Sequence, residues 1–275
     1  MIKSETLKNR IGFIILLFAA IITLFPFFWM LSTALKSSGE LFSKVPILFP
    51  SNPQWSNFAD IFKLAPFERY FLNSGIVATS SVLLTVFINL LAGYTFAKYQ
   101  FKGRKVMFMI VLSTLMIPMQ IIMVPNFIIL SKLGWLNSYA GLIIPRAAEA
   151  FGLFLSKQFM DEIPVELIEA ARIDGEGEFK IFIKIILPNC KPLIAILSIF
   201  TFMWRWNDFL WPLIITSSKD MYTVQLGLAS FVGQFYVEWN SLMAISLLAV
   251  IPVLIVFLIF QKLIVQGIAT SGIKG

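Results

Sequence analysis

The chain has no histidine among its 275 residues and one cysteine, Cys190. The first absence removes imidazole general bases, His-ligated metals and Ser-His triads together. The second removes any internal disulfide and any Cys-cluster metal site. Charge is scarce too: 13% of residues are Asp, Glu, Lys or Arg, against about 25% in an average soluble domain. No Gly-x-x-x-x-Gly-Lys-Ser/Thr phosphate loop occurs anywhere. What is abundant is apolar. Hydrophobic residues make up 58% of the chain, with 28 phenylalanines. A soluble globule of this length cannot hide so much apolar surface. A disordered chain, a secreted disulfide scaffold and almost any water-soluble enzyme are therefore excluded. An all-α, polytopic membrane protein is left. The formal net charge of +7 then needs no nucleic acid, because Lys and Arg mark the cytoplasmic loops of membrane proteins.

A helix crossing about 30 Å of hydrocarbon needs roughly 20 mostly apolar residues. Six stretches qualify as transmembrane helices: 11–35, 71–97, 106–130, 136–160, 192–215 and 241–265. The fourth is the least apolar. The first is read as a retained helix, because its apolar run is longer than a signal peptide's and no small-x-small cleavage site follows. Lys and Arg set the orientation. Fourteen fall in residues 1–10, the loop after span two, the segment between spans four and five, and the C-terminal end. Six fall in the opposite loops, and Arg146 and Arg205 lie inside spans. Both termini are thus expected in the cytoplasm. Residues 36–70, with Pro46, Pro50, Pro53 and Trp55, form an extracytoplasmic loop lying on the membrane face.

The inner segment 161–188 is the most informative. Asp161 to Gly175 reads as a short helix, with Pro164 at its first position, Glu166 and Glu169 near its positive end and Gly175 as its stop. Leu167, Ile168 and Ala171 fall on one face. A second short helix carries Phe179, Phe182, Ile185 and Ile186 on one side and ends at Pro188. A helix lying on lipid would be rich in Lys and Arg. Residues 161–178 hold seven acids and only Arg172 as a base, so a protein groove is the better recipient.

Glu169-Ala170-Ala171, Gly175 and Ile185-Ile186-Leu187-Pro188 stand at the spacing of the EAA signature. That segment resembles the membrane subunits of ATP-binding-cassette importers of the type I fold. The stretch Pro164–Gly175, Trp206-Asn207-Asp208-Phe209 and the tail 267–275 are similar to carbohydrate permeases, the tail to the second permease subunit of maltose-type importers. The tail keeps flanking glycines and a Lys-Gly end but shuffles the small residues between. The likeness covers about residues 70–275 and, more loosely, the first span.

The resemblance implies a permease core over 71–266, with coupling helices at 161–188 seated on a separate ATPase dimer. Glu169, Ala170, Ala171, Asp174, Gly175, Leu187 and Pro188 are the implied coupling residues. Gly267, Lys274 and Gly275 would carry the tail's contact with the ATPase. It further implies a second homologous permease, an extracytoplasmic solute-binding protein, a sugar substrate and a bacterial inner membrane. ATP and Mg would sit on the partner, and this chain would hold no cofactor and catalyse nothing.

Charges inside hydrocarbon are costly and usually functional or paired. Arg146 and Glu149 in span four, and Arg205 and Asp208 in span five, stand at i, i+3, so each acid is expected to reach its own base. These pairs either glue helices together or line the path. Trp204, Trp206 and Trp211 cluster in sequence around Asn207 and Asp208, the chemistry of a sugar site. Trp204, Asn207 and Asp208 are the candidate path residues, although the resemblance gives most sugar contacts to the partner permease. Pro118, Pro125 and Pro145 interrupt spans as hinges or as packing kinks. The competing readings are a permease of the same fold for a non-sugar solute, a secondary transporter, and a membrane-embedded enzyme. The second lacks a visible internal repeat, and the third lacks catalytic equipment.

Overall fold

The computed structural model describes residues 2–43, 45, 47–232 and 238–271, with side chains described between 10 and 263 of these. In chain order the helices are α1 (Ile2–Ala34), α2 (Ser38–Leu41), α3 (Asn57–Leu64), α4 (Phe67–Lys98), α5 (Arg104–Ser113), α6 (Met119–Lys132), α7 (Tyr139–Ile143), α8 (Ala150–Asp161), α9 (Glu166–Ile173), α10 (Glu178–Ile181), α11 (Leu187–Asn189), α12 (Lys191–Trp206), α13 (Leu210–Ile215), α14 (Val224–Phe231) and α15 (Trp239–Ser271). Single 3-10 or π turns join several of them, and no strand occurs among the described residues. The chain divides into two compact units, Met1–Phe67 with Gly227–Ile251 and Glu68–Leu226 with Pro252–Gly275.

In the first unit, Arg10–Ala34 is apolar on every side and none of its span is buried. Such a helix is solvated by lipid or by another chain, not by water. Its C-terminal end is tied down. Asn57 Nδ2 donates to the carbonyls of Ala34 (2.8 Å) and Lys36 (3.2 Å), which satisfies acceptors that a helix end leaves orphaned. Ser32 Oγ donates to the Leu48 carbonyl (2.5 Å). Glu40 accepts the backbone N–H of Ser37 (3.0 Å) and of Ser51 (2.8 Å), and these donors hold its carboxyl below the ordinary range. The segment after the first span is therefore locally structured, as its composition suggests.

Among the described residues, two apolar cores of the second unit stand out. One joins Val86, Leu90 and Tyr94 of α4 to Met160, Ile168, Ala171, Phe182, Ile186 and Leu193. The other joins Val77 to Leu130, Leu142, Trp211 and Ile215. Helices α4 and α8 touch backbone to side chain. A Cβ on Gly93 would lie 2.3 Å from Ser156 Cβ, and one on Gly152 would lie 2.1 Å from Asn89 Nδ2. Only glycine allows that approach, which is how small residues bring membrane helices together.

Three helices are long and apolar enough to cross a membrane alone: Arg10–Ala34, Phe67–Lys98 and Trp239–Leu263. Two bent pairs raise the number to at most five among the described residues: Arg104–Met116 with Met119–Lys132, bent by 104°, and Glu178–Asn189 with Lys191–Trp206, bent by 82°. The third, fourth and fifth expected spans are thus interrupted rather than continuous. Pro118 is extended (φ −60°, ψ 135°) where the third breaks. The fourth falls into α7, a 3-10 turn containing Pro145, and α8, with Glu149 extended between them. The fifth stops at Trp206 and resumes at Leu210. There Asp208 Oδ1 accepts the Trp211 N–H (3.2 Å), and Pro212, which has no N–H for the carbonyl four residues back, fits the first turn of a new helix and not the interior of a continuous one.

Candidate functional site

The elbow between α8 and α12 folds much as its residues dictate. The Val165 carbonyl accepts from the N–H of Ile168 and Glu169, so Val165 caps α9, which starts at Glu166, two residues after Pro164 and not on it. At the far end Gly175 has φ +81°. The Gly175 N–H donates to the Arg172 carbonyl and the Glu176 N–H to the Ala171 carbonyl, each at 3.0 Å. That is the Schellman arrangement, in which a left-handed residue closes the helix. A side chain at position 175 meets no steric obstacle but is strained by the backbone.

The second short helix does not end at Pro188. A π turn over Phe182–Ile186 precedes it, with the Leu187 N–H reaching the Phe182 carbonyl, and the chain stays helical through Asn189. The widened turn makes room for the proline ring, which clashes with the preceding turn of an ordinary α-helix. The sharp bend comes two residues later, at Cys190, and Pro192 is the second residue of α12.

Burial separates two faces. Ile168 and Ala171 turn inward with Ile181, Phe182 and Ile186, none more than 6% exposed. Leu167 and Phe179, expected on those faces, point outward instead at 45% and 61% exposure, together with Ile173 at 86%. The wheel position of Leu167, one residue from Ile168, lies at the margin of the stripe and falls on the outer side. Of the coupling residues read from the sequence, Ala171 is core, Leu187 is half-buried, and Glu169, Ala170, Asp174, Gly175 and Pro188 are exposed.

A polar clasp that sequence reasoning missed closes the elbow. Glu178 Oε1 accepts Arg172 Nε (2.7 Å), and Oε2 accepts Arg172 Nη2 (3.2 Å), Tyr94 OH (3.4 Å) and the Tyr99 hydroxyl. The guanidinium also lies over the Tyr99 ring, 5.8 Å from its centre. One carboxylate thus joins α9, α10 and the end of α4. The signal was visible: Arg172 is the only base among seven acids, so one of them had to hold it. Arg172 first, and then Tyr99, holds the Glu178 carboxyl below its ordinary value of 4.5. The same contact raises Arg172.

The intramembrane charges are paired across segments, contrary to the expected i, i+3 pairs. Arg146 bonds Asp208, and Arg205 bonds Glu149. Arg205 Nη2 also donates to the Arg146 carbonyl (2.7 Å). Self-pairing needs both members on one regular helix. Here Glu149 is extended and Asp208 lies beyond the end of α12, so each acid meets the other segment's base. The four charges stitch the breaks in the fourth and fifth expected spans to one another.

A cavity of about 440 Å³ opens beside them, lined by Arg146, Trp204, Asn207, Asp208 and Phe209 among others. The three candidate path residues therefore line one space. The other two tryptophans do not. Trp206 is buried and stacks on Phe202 with ring centres 5.5 Å apart. Trp211 is buried with its indole N–H on the Gly141 carbonyl (3.1 Å). Gly267 lies in the last turns of α15, where only backbone is described, and Lys274 and Gly275 lie outside the described residues.

Residues 88–270 match the family described as "Binding-protein-dependent transport system inner membrane component". The chain belongs to that family. The permease is 34% identical over 260 residues to the arabinooligosaccharides transport system permease protein AraQ of Bacillus subtilis, covering 93% of this chain and 92% of that one. It is 32% identical to the diacetylchitobiose uptake system permease protein NgcG of Streptomyces coelicolor, over 99% and 91% of the two chains. It is also 32% identical to the sn-glycerol-3-phosphate transport system permease protein UgpE of Pectobacterium atrosepticum, over 98% and 99%. Its fold is similar to that in the crystal structure of a bacterial ABC transporter that imports alginate, an acidic polysaccharide. The TM-score is 0.82 at 22% identity, over 94% and 97% of the chains. The permease is a multi-pass membrane subunit of a transporter and not an enzyme, and its fold is the type I importer fold.

Two outcomes follow. Removing one member of the half-buried Arg146–Asp208 pair leaves its partner uncompensated. Asp208→Asn is expected to lower the thermal midpoint of the detergent-solubilised permease, and Arg146→Gln with Asp208→Asn to recover part of that loss. Strictly additive losses would show that the two side chains are not paired. For the clasp, a carboxylate held low in the folded state contributes stability above its unfolded pKa and loses it as pH falls through the folded one. The hydrogen-exchange protection factors over 166–181 are expected to be high at neutral pH, to fall in acid, and to be low at neutral pH in Glu178→Gln. Protection equal in both proteins at neutral pH would remove the clasp.

Proposed function

We propose that this permease forms, with a second related permease, the path by which a sugar or oligosaccharide enters a bacterial cell. A separate ATPase dimer drives it through the elbow at 161–188. The observation that carries the reading is the division of the elbow into two faces. Its inner face is fixed in the core of α4 and α12, while Leu167, Ile173 and Phe179 stand exposed among acids. An apolar patch rimmed by Glu166, Glu169 and Asp174 suits a protein groove and is repelled by anionic lipid. Glu169, Ala170, Asp174, Gly175 and Pro188 are the contacting positions; Ala171 and Leu187 hold the contact from behind.

ATP and Mg belong to the motor, and the tail 267–275 reaches toward the same interface. A solute-binding protein delivers cargo to the outer face. Both termini are cytoplasmic, and six crossings are completed by the broken segment 136–160. In it, α8 alone is only about 18 Å long at 1.5 Å per residue. Closure of the ATPase dimer moves the elbow as a rigid body, since packed interfaces switch between discrete arrangements.

Sugar is favoured over a charged solute by the cavity at Trp204. It offers an aromatic face, the Asn207 amide and an Arg146–Asp208 pair whose charges cancel. Flat aromatic faces and neutral polar groups suit a sugar ring, whereas a phosphate asks for surplus positive charge. The glycerol-3-phosphate relative supports the second reading, a small polyol phosphate.

The test is uptake in cells carrying the complete transporter. Ile173→Glu and Gly175→Asp are expected to cut uptake at least tenfold and to reduce co-purification of the ATPase, with the permease still in the membrane. Normal uptake by both variants would end the docking role. Labelled neutral oligosaccharide, and not sn-glycerol 3-phosphate, is expected to be transported by the unaltered protein; the opposite preference would support the second reading.

A further inference from the structure

The turn between α4 and α5 concentrates positive charge of a kind the transport reading does not use. Residues 98–105 carry Lys98, Lys102, Arg104 and Lys105 and no acid. Two of the four are turned onto backbone. Lys98 Nζ donates to the Ile163 carbonyl (2.6 Å), and the Arg104 guanidinium donates to the carbonyls of Tyr99 (3.2 Å) and Ala97 (3.4 Å). Those contacts place the cations without neutralising them. Lys157 joins the cluster from α8; it bonds Asp161 at 2.5 Å and lies over the Phe108 ring, 5.3 Å from its centre. Asp161 is therefore the one carboxylate in ion-pair contact with these five cations among the described residues.

A cavity of about 700 Å³ opens here, lined by Gln100, Phe101, Arg104, Lys105, Phe108 and Lys157 among others. Its cationic floor continues into an apolar wall. Val106, Met109 and Ile110 on α5 are 61%, 65% and 60% exposed. The positive end of α5, which Arg104 opens, adds to the same field. Cations beside a bare apolar helix flank recognise one chemistry: an amphiphile with an anionic head and a fatty tail. Basic pockets at the cytoplasmic ends of membrane helices bind such headgroups.

We propose that this cavity is a binding site for the headgroup of an anionic phospholipid of the cytoplasmic leaflet, with the acyl chains lying along α5. The inference rests on the proposed orientation, which puts the 98–105 turn in the cytoplasm. A lipid is favoured over a protein by charge segregation: the surface offered to a protein, the elbow, is acidic, whereas this one is basic and adjoins the exposed apolar flank of α5.

The test uses the full chain, purified in mild detergent with whatever subunits accompany it, and native mass spectrometry to count retained lipid. After reconstitution in vesicles of phosphatidylglycerol and phosphatidylcholine, the unaltered protein is expected to keep phosphatidylglycerol on re-extraction. The Lys102→Gln, Lys105→Gln double variant is expected to keep at least fivefold less, and Lys132→Gln as much as the unaltered protein. Equal retention by the double variant overturns the proposal. So does displacement of the lipid by millimolar inorganic phosphate, which would assign the pocket to a soluble phosphate. A photo-cross-linker at position 105 should label phosphatidylglycerol; labelling of another subunit in its place overturns the proposal in favour of a protein contact. Accessibility of Lys102→Cys to an impermeant thiol reagent from the outer face would overturn the orientation, and the leaflet assignment with it. Failure of sugar uptake with lipid retention intact would leave the lipid site standing and remove only the sugar reading.

Discussion

The elbow is fixed to the membrane helices by a seam of side chains, and the proposed coupling role depends on that seam. Ile168, Ala171, Phe182 and Ile186 of the elbow are buried with Val86, Leu90 and Tyr94 of α4. Burying side chains of that size removes water from apolar surface at roughly 25 cal/mol per Å², and the close packing leaves little slack for independent movement. The Glu178 clasp adds direction. It ties α9 to α10 and both to the end of α4 through Arg172, Tyr94 and Tyr99. Displacement of the outer face, with Ile173 at its tip, therefore reaches the membrane helices directly.

The membrane-embedded end of the same unit faces a different constraint. Four charges sit where helices are broken, and a charge in hydrocarbon is tolerated only when it is paired or hydrated. Crossing the pairs answers both needs together. Arg146–Asp208 and Arg205–Glu149 neutralise one another and hold two discontinuous segments in register. Arg205 Nε and Nη1 are buried without a hydrogen-bond partner among the described residues, so the quartet keeps donor capacity to spare. Asp208 lines the neighbouring cavity from within this network, and Asn207 beside it is held by the Met203 carbonyl and the Gln225 amide. The position of Asp208 there depends on its pair staying made.

Much of this was legible in the residues. Composition pointed to an integral membrane protein, and the long apolar runs made it helical. The EAA spacing located the elbow, and Gly175 took the positive φ that a helix stop requires. What was not legible depended on where irregular backbone falls. The i, i+3 spacing of Arg146 and Glu149 implied self-pairing on a regular helix, but Pro145 and the extended Glu149 remove that helix. Leu167 and Phe179 were placed on the inner faces by periodicity, which cannot decide the margin of a stripe on a helix of two turns. Pro188 read as a stop because a proline normally breaks the preceding α-turn; a π turn absorbed it. Trp206 and Trp211 looked like partners of Asn207 and Asp208 because they adjoin them in sequence. A helix sends adjacent residues to different faces, and both are packed elsewhere.

The central claim is that a nucleotide-driven subunit grips the exposed tip of the elbow. The most direct measurement is disulfide cross-linking from Ile173→Cys to the subunits that co-purify with the permease, with and without ATP. The account predicts a cross-link to an ATP-hydrolysing subunit whose yield changes when nucleotide binds. A complex that transports its cargo with no such subunit within reach of position 173 would contradict it.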